Sequence, residues 1–376
     1  MLNELKQKNL IIDLFSGPGG LSLGAARAGF SILCAAENDP HAAATHRRNF
    51  PETLHIEEDV SALTGHRLKA VLRIRDGHIA GVVGGPPCQG FSCIGKNDRS
   101  DPRNRLFVDF FRLVAEIRPK FYIAENVPGV LNAGNARLRE EAFSYVEEEY
   151  EIVPPMVICA KDFGAPTTRT RVFFFGYRRN EMERLAADDF KHARLKKVTV
   201  GDALRGLPVK ISPKWQTEEQ GWRIIRKSEG GSFFRRLYGH IPPGVGDAYA
   251  LERLRKEQRV SGCLGTVHSR EVARRYAEIE PGTRDPISKS HKLSLDDFCP
   301  TLRAGTGSDY GRFQAVRPLH PTEVRVITPR EAARLQGFPD WFRFSPTKWH
   351  SFREIGSSVS PILAERILAI IRKAIT

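Results

Sequence analysis

A doubly wound, mostly parallel α/β sheet with a smaller inserted domain is the fold this sequence predicts. Three observations carry it. Short apolar runs of strand length (Leu10–Phe15, Ser31–Ala36, Ile79–Val83, Pro119–Ala124) recur through the first half, separated by stretches of helical period. Each run ends in glycine, proline or acid: Ser16-Gly17-Pro18-Gly19-Gly20, Glu37-Asn38-Asp39, Gly84-Gly85-Pro86-Pro87-Cys88 and Glu125-Asn126. Between about Tyr177 and Arg317 the composition turns basic and turn-rich, after which apolar helical spacing returns (Ile362, Leu363, Ile367, Leu368, Ile371). Residues 1–176 and 318–376 are therefore expected to form one discontinuous domain, with 177–317 inserted.

The bulk properties narrow the class. A chain of 376 residues, 41% hydrophobic and 27% charged, has the composition of a soluble globular protein. No run approaches the roughly 18 apolar residues of a membrane span. Met1-Leu2-Asn3-Glu4-Leu5-Lys6 lacks the layout of a secretion signal, so a cytoplasmic location is expected. Six scattered cysteines form no disulfide framework, and no second Cys/His pair answers Cys88 and Cys93, so no metal site is expected.

In chain order, Leu10–Phe15 reads as a strand, Gly17-Pro18-Gly19-Gly20 as a turn and Leu21–Ala28 as a helix stopped by Gly29. Ser31–Ala36 is the second strand, and Glu37 stands at its end. Glycines let a ligand lie against bare backbone at a helix N-terminus, and a carboxylate at the next strand end suits two ribose hydroxyls. The turn is shorter than G-x-G-x-x-G and no phosphate-binding lysine follows. A nucleoside without a pyrophosphate fits better, which points to S-adenosylmethionine. Asp59, after His55–Glu58, reads equally as an acceptor for an adenine amino group or as a helix N-cap.

After Ile79–Val83, two glycines and two prolines end the strand and present the Cys88 thiol on a stiff turn. A free cysteine is more often an inert buried hydrophobe, but this rigid mount and the polar loop behind it favour a nucleophile. Gln89–Arg105 reads as a long lid, Leu106–Ile117 as a helix and Pro119–Ala124 as a strand with Glu125 at its tip. Arg169 and Arg171 alternate ahead of Val172–Gly176, and that spacing predicts one shared face, suited to a phosphate and a base carbonyl.

Charge supplies the partner. Lys+Arg number 58 against 44 Asp+Glu, a net +14. From Arg178 to Pro300 there are 25 basic and 17 acidic residues, so +8 of the surplus lies in a third of the chain. Such a surface suits a polyanion, most simply nucleic acid.

Six ordered motifs then match a known family: Asp13–Gly20, Pro86-Pro87-Cys88-Gln89-Gly90-Phe91-Ser92, Glu125-Asn126-Val127, Arg169-x-Arg171, Thr328–Pro339 and Gly356–Pro361. From Leu10 to about Gly176, and again from about Pro318 to Ile371, the chain resembles the DNA (cytosine-5) methyltransferases of bacterial restriction-modification systems. The resemblance implies a covalent Cys88–C6 intermediate, Glu125 at N3 and the N4 amine, Arg171 at O2, and Arg169 assisting loop and phosphate contacts. It implies S-adenosylmethionine bound by Phe15, Gly17, Gly19, Gly20, Leu21, Glu37, Asn38, Asp59, Pro86, Leu106, Ser357 and Val359. It further implies a monomer that flips its cytosine out of double-stranded DNA, a target-recognition region at 177–317, and a possible cognate restriction endonuclease. Two positions depart from the family pattern: Thr167 stands where glutamine is usual and Ser357 where asparagine is usual. The alternatives are a transfer-RNA cytosine-5 methyltransferase, disfavoured by the long basic insert, and a catalytically silent DNA-binding homologue.

Overall fold

Apolar side chains on both sides of the early strands require the sheet to be covered twice. The computed structural model describes residues 9–87, 104–191, 195, 197–226, 231–305 and 317–375, Tyr238 by its backbone alone. Its first strand is β1 (Leu10–Leu14), followed by α1 (Gly20–Arg27), β2 (Ser31–Ala36), α2 (Pro40–Asn49), β3 (Leu54–Ile56), α3 (Gly65–Leu72) and β4 (Ile79–Gly84). Then come α4 (Arg105–Ile117), β5 (Phe121–Asn126), α5 (Ala136–Ser144), β6 (Tyr150–Cys159) and β7 (Thr170–Arg178). The seven strands lie in the order β3-β2-β1-β4-β5-β7-β6. β1 pairs in parallel with β2 on one side and β4 on the other, so the strand order reverses at β1. In such sheets ligands lie beyond the carboxyl ends of the strands at that reversal.

Alternation along the strands divides the core. Ile11, Val83, Phe121 and Ile123 pack with Leu21 and Leu23 of α1 and with Ile362, Leu363, Ile367 and Ile371 of the last helix. Ile12, Leu14, Val82, Tyr122 and Ala124 pack on the opposite side with Phe107, Phe110, Phe111 and Leu113 of α4. The elements read from sequence recur within one or two residues, apart from the third strand, which stops at Ile56 instead of running to Asp59. β6 escapes that reading because Pro154 and Pro155 interrupt it. It sits at the sheet edge, where a missing N–H is tolerated, and its register against β7 slips between Val153 and Met156.

Beyond β7 follow α6 (Val200–Leu204), β8 (Arg223–Ile224), α7 (Ser232–Gly239), α8 (Ala248–Glu252), β9 (Arg259–Val260) and α9 (Arg270–Glu278). The chain closes with α10 (Pro329–Gln336), α11 (Lys348–Ser357) and α12 (Pro361–Ala374). Residues 177–317, expected as an inserted domain, do not keep their apolar residues to themselves. Phe233, Phe234, Leu237 and Val260 belong to the cluster that also holds α1 and α12. Arg334 joins the parts, pairing with Asp340 at 2.8 Å while donating to the carbonyls of Ala203 (3.0 Å) and Arg205 (2.7 Å). Thr328 and Glu331 cap α10 reciprocally and fix where it starts. No helix among the described residues is long and apolar enough to cross a membrane.

α12 packs on α1 through Gly24, whose ideal Cβ would lie 2.7 Å from the Glu365 backbone nitrogen and 2.8 Å from the Ala364 carbonyl carbon. Alanine at position 24 gains about 1 kcal/mol of helix propensity but forces two helix backbones apart, at a typical overpacking cost of about 1–3 kcal/mol. The clash wins because backbone cannot rotate out of the way. Gly24→Ala is expected to lower the thermal unfolding midpoint; an unchanged or raised midpoint would show that α12 yields freely.

Candidate active site

The turn after β1 forms the floor of a cradle. Phe15 and Gly17 both hold positive φ (60° and 54°), and Gly19, at φ 107°, precedes α1 without any side-chain cap. The first N–H groups of α1 therefore face outward unpaired by a cap, a site for electronegative ligand atoms. A side chain at Gly17 would meet nothing within 4 Å, so the space above that turn is open. Gly20 is required for a different reason: its ideal Cβ would lie 3.3 Å from Val359 N and collide with the Val359 carbonyl. The 357–360 segment thus forms the opposite rim.

Glu37, at the end of β2, accepts from the N–H groups of Gly17 and Asp39, each at 2.8 Å. Burial raises its pKa above the ordinary carboxylate value. A carboxylate has about four acceptor sites, so Glu37 retains capacity for a ligand hydroxyl. Asn38 beside it is exposed. Asp59 acts as an N-cap: its Oδ1 accepts from Ser61 N at 2.9 Å and Ser61 Oγ at 2.8 Å. Leu21 and Val359 bury their side chains in the core. Leu106 is partly exposed while Phe107 and Val108 are buried, and Pro86 is buried. Ser357 is exposed, with its hydroxyl turned back onto the Glu354 carbonyl at 3.1 Å. An open helix N-terminus, a carboxylate at the adjacent strand end and a glycine turn with free space above it fit S-adenosylmethionine.

Sequence reasoning missed what supports the cradle from below. With Asp13 ionised, Ser22 Oγ donates to Asp13 Oδ2 at 2.6 Å, and His46 Nε2 then donates to Ser22 Oγ at 3.0 Å. His46 Nδ1 is then an acceptor, and His55 Nε2, 2.8 Å away, donates to it. The His46 ring stacks on Phe50 with centroids 4.3 Å apart and lies 3.1 Å from where a Gly19 Cβ would stand. Burial lowers the pKa of His46 well below the usual histidine value, while burial and Arg47 bring His55 to about 4, so both rings are neutral near pH 7. Burial pushes Asp13 up to about 7, and its Oδ1 has no hydrogen-bond partner among the described residues. The sequence signal was a polar residue at 13 and at 22 inside otherwise apolar elements, while His46 lies in a polar helix and nothing marked it.

At the tips of β4, β5 and β7 the charged groups converge. Arg171 Nε lies 2.7 Å from Glu125 Oε1, and Arg171 Nη1 donates to the Thr170 carbonyl at 2.7 Å. Glu125 Oε2 lies 3.2 Å from where a Cβ of Gly85 would stand. Asn126 Nδ2 donates to the Pro86 carbonyl at 3.3 Å, tying the end of β4 to the end of β5. Cys88 itself, with the loop through Arg103, lies outside the described residues.

Arg169 departs from the expectation of a phosphate contact. It is 2% exposed, and its guanidinium donates to the carbonyls of Leu302, Gly356 and Ser357 rather than sharing Arg171's surroundings. Thr167 is buried, and its hydroxyl has no hydrogen-bond partner among the described residues. No cluster of three or more His, Cys, Asp or Glu suited to a metal ion occurs among those residues.

Comparison with known proteins identifies the family and the fold. The C-5 cytosine-specific DNA methylase family profile matches residues 10–373. The chain is 40% identical over 369 residues to the type II methyltransferase M.XorII of Xanthomonas oryzae pv. oryzae, covering 97% of this chain and 84% of that one. It is 30% identical over 386 residues to the type II methyltransferase M.DdeI of Desulfomicrobium norvegicum, covering 95% and 87%. Among solved structures, a prophage-encoded E. coli protein described as a candidate DNA modification methyltransferase superposes with TM-score 0.88 at 48% identity, covering 97% and 99%. The S. pombe Dnmt2 methyltransferase, at 16% identity and TM-score 0.63, shares the fold.

The buried Asp13 yields a signed pH dependence. Its folded pKa of about 7 lies above the ordinary 3.8, so its contribution to stability is greatest below pH 4 and declines as pH rises toward 7. Asp13→Asn removes that decline. The stability of the variant relative to the parent should therefore rise between pH 4 and 7, by an amount on the order of 4 kcal/mol, and level off above 7. Denaturant unfolding of both proteins across that range tests it; a flat difference would refute the buried carboxyl.

Proposed function

This chain belongs to the C-5 cytosine-specific DNA methylase family, and from that premise we propose how its residues methylate cytosine at C5 in DNA. The observation that carries the reading is the Glu125–Arg171 pair, 2.7 Å apart and set against the Gly85-Pro86 turn that leads to Cys88. Cytosine C5 is a weak nucleophile. Addition of the Cys88 thiolate to C6 makes the ring an enamine and directs its electrons to C5. Glu125 binds the N3 and N4 edge and supplies the N3 proton, while Arg171 faces O2. S-adenosylmethionine, when bound, supplies an electrophilic methyl group; the residues that would hold it are the Phe15–Leu21 turn, Glu37, Asn38, Asp59, Pro86, Leu106 and the Ser357–Val359 rim. Solvent water or hydroxide then takes the C5 proton, and the freed electron pair expels the Cys88 thiolate from C6. Glu125 takes back the N3 proton, which restores the aromatic ring.

A base stacked in a duplex presents neither C6 nor N3 to these groups, so the cytosine is flipped out of double-stranded DNA. Residues 177–317 form the target-recognition region in this reading. Their exposed Arg205, Lys210, Arg226, Arg235 and Arg255 meet phosphates, leaving fewer side chains for base edges. The protein works as a monomer on chromosomal DNA in the cytoplasm, and a restriction endonuclease sharing its site is the partner we propose.

Transfer of labelled methyl from S-adenosylmethionine to DNA, with transfer RNA as the competing substrate, tests the reading; labelling of RNA alone would overturn it. Cys88→Ala should lose methylation by at least about a thousandfold while still binding DNA, and Glu125→Gln by about a hundredfold or more. A 5-fluorocytosine duplex should trap a conjugate at Cys88. A conjugate at another residue would end this assignment.

A further inference from the structure

We propose that Arg169 is a positioning residue: it pins the rim of the cofactor cradle to the chain leaving the target-recognition region, and touches neither base nor phosphate. The inference rests on the methyltransferase reading and assigns this side chain a different task within it. The guanidinium donates from Nη1 to Leu302 O at 3.0 Å and Gly356 O at 2.9 Å, and from Nη2 to Ser357 O at 3.2 Å. Gly356 and Ser357 end α11, where carbonyls lack intrahelical partners and a cation is favoured by the helix dipole. Two residues later the Val359 carbonyl abuts Gly20 at the start of α1. The position of the 356–359 segment therefore sets the width of the cradle.

The third carbonyl belongs to the other end of the molecule's work. Residues 166–168 are laced to Cys299, with Cys299 N donating to Pro166 O and Thr168 N to Cys299 O, both at 2.9 Å. Gly356 has no side chain because Arg303 and Ala304 lie against it: an ideal Cβ would stand 2.5 Å from Arg303 C and 2.6 Å from Ala304 N. Three chain segments, 166–171, 302–304 and 356–359, thus meet around one guanidinium. Two positions along, Arg171 faces Glu125. A planar fork bonding several carbonyls at fixed angles is a task for arginine, and the lysine ammonium on its flexible stem does not reproduce it.

Arg169→Lys keeps the charge and loses the fork. Calorimetric titration of S-adenosylmethionine into the full-length variant should show affinity about tenfold weaker, the loss of roughly one charge-assisted hydrogen bond's worth of order. The KM for S-adenosylmethionine should rise in parallel, with kcat at saturating cofactor and DNA within about threefold of the parent, since binding and not the transition state is affected. Cofactor affinity at the parent level would overturn the proposal, as would a fall in kcat or in DNA affinity without any change in cofactor binding. Should Arg169→Lys fail to fold, Gly356→Ala serves instead: it retains the guanidinium but displaces Arg303–Ala304, and must also weaken cofactor binding, with parent-level affinity counting against the proposal. The parent protein separates the two readings. If it methylates no DNA, the function falls, whereas a parent that methylates DNA beside variants of undiminished cofactor affinity sinks only the role of Arg169.

Discussion

Burial of β1 on both faces is the constraint from which the rest follows. Ile11 and Ile12 each have 0% exposure yet point into different cores, so the strand offers no surface to a substrate along its length. Chemistry is confined to the carboxyl edge, where the parallel strands all stop. Gly17–Gly20, Glu37, the Gly85-Pro86 turn and Glu125 are the chain's exits from β1, β2, β4 and β5. Their proximity across far-separated positions is a product of strand order rather than of local sequence. Arg171 joins them because β7 runs antiparallel to β5, which brings its beginning beside the end of β5.

That same logic explains how much was legible beforehand. Strand ends can be read because fully buried strands are apolar without interruption and stop at glycine, proline or acid. The cradle and the Glu125 tip were therefore visible in the sequence. Side-chain direction was less so. The alternation of Arg169 and Arg171 predicts a shared face, but β7 begins at Thr170, and Arg169 lies in the segment laced to Cys299. Period-two reasoning fails one residue outside the strand. The chain Asp13–Ser22–His46–His55 was invisible for another reason: its members come from β1, α1, α2 and β3, and nothing local marks them as partners.

Charge shows most clearly where composition misleads. A net +14 invites the inference of a basic surface, yet several arginines are interior struts. Arg330 donates to the carbonyls of Ser261, Pro339 and Phe342, Arg334 pairs with Asp340, and Arg325 pairs with Glu331 at 2.7 Å. Arg253 and Arg343 pack over Trp222 and Tyr249, neutralised by Glu219 on one side and by Glu218 and Asp247 on the other. A buried guanidinium bonded to carbonyls or a carboxylate is unable to meet a phosphate without leaving those acceptors unsatisfied, a cost of several kcal/mol. Such residues contribute to the count without contributing to the electrostatic footprint.

The division of labour among arginines therefore follows from what surrounds them. Where irregular chain must be held at a fixed distance, planar forks bridge carbonyls, and residues 177–317, poor in regular strands, rely on them heavily. Where the side chain reaches solvent, as at Arg205 or Arg235, the charge is placed to act on a polyanion. Residues 177–317 are tied to the rest of the chain through Arg334 and Arg169, which reach from a helix and a strand margin to the carbonyls of Ala203, Arg205 and Leu302. Side chains on their outer surface can then differ without disturbing the cradle, because these contacts are made to main-chain oxygens, which every sequence supplies.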